Sequence, residues 1–131
     1  MSAVTLEWTG DSRFEARSGE AVVCIDGDGA ADLPPVGLLL ASIGSCAAID
    51  VVDILHKGRQ EFRALRVEVE GRRRSDPPRS LTGLTLRFQV EGPVDEPRVQ
   101  RAVDLSLEKY CSVFHSLRMD IGLDVEVTVR E

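Results

Sequence analysis

With 131 residues and a mass of 14.3 kDa, the chain has room for one domain with a real core and not for two, so a second catalytic module is excluded. Its hydrophobic fraction of 43% and charged fraction of 29% are those of a soluble globular protein. The net charge of -6 argues against a general attraction to nucleic acid or anionic lipid, both of which need excess Lys and Arg.

In chain order, Val4, Leu6 and Trp8 alternate with Thr5 and Glu7, and after Gly10 come Phe14, Ala16 and the run 22–25. This pattern predicts a short three-stranded meander at the start of a single sheet. Phe14 and Ala16 are expected to face inward, with Arg13 and Arg17 on the polar side. No basic segment leading into an apolar stretch and a cleavage site opens the sequence, so a cytoplasmic location is expected.

A long helix is predicted from Pro34-Pro35, where proline suits a first turn, to Gly58. Its weakly polar run, 37–49, is shorter than the ~18 residues that a membrane span needs, so a buried helix and no membrane partner are expected. The helix is apolar nearly all round. One sheet in a chain this size cannot cover it on every side, and a homodimer would supply the missing layer.

Period-two alternation returns at Leu65, Val67 and Val69 and again at Leu84, Leu86, Phe88 and Val90, around the turn-rich stretch Ser75-Asp76-Pro77-Pro78. These are the arms of a hairpin, with Arg72, Arg73, Arg74 and Arg79 at its solvated tip. Asp95 then caps a second helix whose stripe Val99, Ala102, Val103, Ser106 and Leu107 is expected to continue to Cys111 and Phe114. Leu123, Val125, Val127 and Val129 mark a final half-buried strand.

The chain has three cysteines, an odd number without an export signal, which makes a disulfide framework improbable. Cys46 and Cys111 each lie on a helix that must pack on the same small sheet. From the residues alone two readings are open, a reactive thiol pair or two buried fillers, and Cys24 reads as filler. His115, four residues after Cys111, has the spacing of a second metal ligand, but too few further ligands accompany it for zinc, and no metal or cofactor is expected.

The block PPVGLLLASIGSCAAIDVVDILHKGRQ, followed after about forty residues by RAVDLSLEKYCSVFHSL, resembles the OsmC/Ohr superfamily, and within it the OsmC-like redox-protein subgroup. The resemblance covers nearly the whole chain, read as one domain over 1–131. It implies an α+β fold of N-terminal meander, long central helix, β-hairpin, second helix and C-terminal strand, forming an intertwined homodimer. It further implies reduction of organic hydroperoxides, with Cys46 at the attacking position and Cys111 at the resolving one, and an external dithiol reductant of the lipoyl type. The second thiol is needed because a sulfenic acid left unresolved is driven to irreversible acids. A small-ligand-binding module and a thiol-disulfide sensor without sustained turnover are the alternatives.

An ordinary thiol, with a pKa near ~8.5, is only about 3% ionised at neutral pH. Cys46 falls mid-helix and Asp50 follows one turn later, so a cation from elsewhere is expected to activate it. In the family this is an arginine of the N-terminal strands, for which Arg13 and Arg17 are the candidates here. Two positions depart from the pattern: Val36 replaces the glutamate that holds the arginine, and Ser112 replaces the proline after the resolving cysteine.

Overall fold

Alternation and helical spacing yield the elements in the computed structural model, which describes residues 2–131. They are β1 (Thr5–Gly10), β2 (Arg13–Ser18), β3 (Ala21–Asp26), α1 (Pro35–Lys57), β4 (Ala64–Arg73), β5 (Leu81–Glu91), α2 (Glu96–Leu105), a π-helical turn (Ser106–Tyr110), the one-turn helix α3 (Ser112–His115) and β6 (Gly122–Arg130). The architecture is α+β in the predicted order. The expected single sheet is instead two three-stranded sheets, β1-β2-β3 and β4-β5-β6.

Residues 1–39 and 40–131 form two compact units. In the first, β1, β2 and β3 pair antiparallel with Trp8 opposite Phe14 and Phe14 opposite Ile25. Phe14 is 39% exposed, so its expected inward placement is not found, while Ala16 is half-buried. Val4, Leu6, Trp8, Val22 and Val23 are also exposed, and Cys24 with them, which corrects the reading of Cys24 as a packed filler. The order in this unit comes from Asp26. Its buried carboxylate accepts the N–H groups of Asp28 and Ala31 at 3.0 and 3.3 Å, fixing the turn that leads toward α1.

In the second unit β4 and β5 form the predicted hairpin, and β6 joins β5 in parallel. A parallel pair cannot be closed by a tight turn, and the segment from α2 to α3 is the crossover that it requires. Leu84, Leu86, Phe88 and Val90 on one face of β5 are fully buried, as are Ile43, Ala47 and Val51 of α1 and Val99, Ala102 and Val103 of α2; Leu55 of α1 is nearly so. The other sheet face is polar. There Arg87 donates to Glu70 and Glu126 at 2.7 Å each, spanning all three strands, and Arg72 at the hairpin donates to Thr85 at 2.9 Å.

At 23 residues, with a mean hydropathy of 2.0 over its most apolar 18, α1 is long and apolar enough to cross a membrane by length and composition. The expectation that it falls short is corrected, because the helix runs on to Lys57 with Asp50 and Asp53 as the only charges before its last turn. Its stripe at every fourth position, from Ile43 to Leu55, is nonetheless packed within the folded unit.

Close approach of α1 to β4 depends on Gly44, where an added Cβ would stand 2.6 Å from Val69 Cγ2. Gly44→Ala is expected to cost about 1–3 kcal/mol, because β-branched Val69 has little rotamer freedom with which to yield. Denaturant unfolding checks this; an unchanged midpoint counts against the tight contact.

Candidate thiol site

Three contacts set the second helical segment beside α1. Arg98 donates to the Gly58 carbonyl at 3.4 Å, Ser106 Oγ to Asp50 Oδ2 at 2.7 Å, and Cys46 Sγ lies 3.9 Å from Ser112 Oγ. Numbers fall along α1 as they rise along its neighbour, so the two run antiparallel. From Asp50 to Cys46 is one turn of α1. The neighbouring strip takes six residues, Ser106 to Ser112, to pass the same stretch, and in its π turn the Cys111 N–H bonds the Ser106 carbonyl at 2.7 Å.

The predicted continuous helix therefore breaks at Cys111, whose φ of -72° and ψ of 97° are extended. Cys111 becomes the N-cap of α3, its sulfur accepting the Phe114 N–H at 3.4 Å. The Cys111 side chain is fully buried, Cys46 is half-buried, and Cys24 is an exposed residue of the first unit. His115 follows on α3, its ring edge-on to Phe114.

The thiols are driven in opposite directions. Cys46 is lowered from the ordinary thiol value, first by the backbone N–H of Val113 and further by the Cys111 thiol and the Ser112 hydroxyl, against burial and the charge of Asp50. Cys111 is pushed up to about 11, first by burial and also by Cys46 and Asp50. A buried, less acidic thiol thus stands with a more accessible, more acidic one.

The donors that lower Cys46 within its own unit are all neutral. Arg13 is paired with Asp26 at 3.9 Å and Arg17 with Glu15 at 2.9 Å, both within the first unit. Ser112, Val113 and Ser106 are the parts that sequence reasoning missed. A signal existed for the first, since Ser112 directly follows Cys111.

Asp50 restrains the pair. Its carboxylate holds Ser106, and through that bond the start of the π turn, while its charge opposes ionisation of both sulfurs. Asp50→Asn is expected to move both thiol midpoints down, because it removes a negative charge that disfavours each thiolate. Thiolate absorbance against pH, in a Cys24→Ser background, reads the shift; midpoints that stay or rise contradict it.

Beside Asp50 a cleft of about 490 Å³ is lined by Asp50, Asp53, Ile54, Lys57, Leu105 and Tyr110. Another, of about 380 Å³ and mostly apolar, lies further along α1 by Gly58 and Arg98, away from the thiols.

Fold and site together define an α+β protein with a graded cysteine pair between two helices. The chain belongs to the OsmC-like protein family, whose sequence profile matches residues 27–126. It is 44% identical to Protein YhfA of Escherichia coli K12 over 111 residues, 83% of this chain and 82% of that protein. A hypothetical protein from Aquifex aeolicus VF5 has the same fold with a TM-score of 0.92 and 32% identity, covering 99% of this chain and 96% of that one. The organic hydroperoxide resistance protein OhrB of Bacillus subtilis shares the fold at a TM-score of 0.66 and 17% identity, covering 99% and 98% of the two chains.

Proposed function

We propose that this chain reduces organic hydroperoxides with Cys46 as the attacking thiol and Cys111 as the resolving one. The observation that carries the reading is the opposed acidity of two adjacent thiols, one lowered and the other pushed up to about 11. Family membership and the organic hydroperoxide resistance proteins among its structural relatives support it.

In the first step the Cys46 thiolate attacks the terminal oxygen of ROOH, the O–O bond breaks, and the alkoxide takes a proton to leave as ROH. Cys46 is then a sulfenic acid. Cys111 attacks that sulfur, the S–O bond breaks, and the Cys111 proton leaves with the hydroxyl as water, giving the Cys46–Cys111 disulfide. An external dithiol, of the lipoyl type, restores both thiols by exchange and is itself oxidised to a disulfide.

The protein acts in the cytoplasm as a homodimer. The exposed Ile49 of α1 and the apolar side chains of β1 and β3 are surfaces that a second copy would cover. Arg13 and Arg17 are the cations available to polarise a bound peroxide. Mass spectrometry after one equivalent of organic hydroperoxide tests the chemistry. A Cys46–Cys111 bridge is expected, and unreacted thiols would overturn the assignment.

A further inference from the structure

We propose that the Ser112 hydroxyl is a catalytic hydrogen-bond donor to the sulfur of Cys46, holding the anionic form in place for attack. This rests on the reading of Cys46 as the attacking thiol and adds a residue to it.

The geometry is specific. Ser112 Oγ lies 3.9 Å from Cys46 Sγ, within reach of an O–H···S contact. Its backbone is fixed independently of that hydroxyl: the Ser112 carbonyl accepts the Ser116 hydroxyl at 2.7 Å, and the preceding residue caps α3 through its own sulfur. The donor is therefore carried on an ordered turn, with its hydroxyl already facing the sulfur. A hydroxyl facing a thiol gains little, whereas one facing a thiolate makes a charge-assisted bond, so the contact favours the ionised state. Among the groups that lower Cys46, the Ser112 hydroxyl acts together with Val113 N–H and Cys111, and of these only Ser112 can be deleted without touching the backbone or the second thiol.

The test is the pH profile of Cys46 alkylation by iodoacetamide, read on the Cys46 peptide by mass spectrometry, in a Cys24→Ser background without peroxide. Ser112→Ala is expected to move the profile to higher pH and to lower the alkylation rate at neutral pH about three- to tenfold. Ser112→Thr, which keeps the hydroxyl, is expected to restore it. Profiles of Ser112→Ala and the parent that coincide would overturn the proposal, as would a shift that Ser112→Thr shares in full. Because the readout uses no hydroperoxide, a shifted profile in a protein that consumes none supports the Ser112 contact while overturning the peroxidase reading.

Discussion

The Cys46→Ser substitution is expected to bring hydroperoxide consumption down to the uncatalysed background, a loss on the order of a thousandfold or more. A hydroxyl at this position has no accessible anion at neutral pH, and the neutral donors that stabilise a thiolate do far less for so weak an acid. Folding should be spared, since Cys46 is half-buried and serine differs from it by one atom. The parent's own pH dependence offers a companion check. The thiolate is the reactive form, so the rate climbs with pH up to a midpoint below that of an ordinary thiol and then levels, before Cys111 titrates near 11. Consumption of hydroperoxide by Cys46→Ser at the parental rate would remove Cys46 from the chemistry.

The Cys111→Ser substitution is expected to end sustained turnover after the first cycle. Cys46 still attacks, but the sulfenic acid finds no thiol beside it, and a second hydroperoxide carries it to the sulfinic acid, which the dithiol reductant cannot recover. The signature is a gain of two oxygens on the Cys46 peptide with no bridge. Serine is a stronger N-cap acceptor than cysteine for the Phe114 N–H, so α3 should persist and the loss can be assigned to the missing thiol. Undiminished steady-state turnover in Cys111→Ser would show that resolution proceeds without it.

Much of this was legible in the sequence. Period-two alternation at 65–69, 84–90 and 123–129 names the strands of the second sheet, and the apolar run from Pro34-Pro35 to Gly58 names α1, though a helix apolar nearly all round does not show which stripe is buried. The separation into two sheets was not legible, because alternation reports which side of a strand is apolar and not which strands pair. The π turn escaped for a similar reason. Ser106, Leu107 and Cys111 suit a regular helical stripe, and the bond from Cys111 N–H to Ser106, five residues back, is decided by packing against α1. The thiol pair was visible as two candidates, but the Val113 N–H that lowers Cys46 was not, because backbone N–H donors carry no signature in side-chain identity.

The five-residue turn before Cys111 fixes a phase. One residue in an α-helix is about 100° of rotation, and a π turn absorbs one residue without advancing the strip along its axis by the usual amount. Had the same sequence kept the α ladder, Tyr110 would occupy the place bonded to Ser106 and Cys111 would point about a quarter turn away. The direction in which Cys111 presents its sulfur is therefore set by a single peptide unit of winding, well inside a segment whose side chains are ordinary for helix.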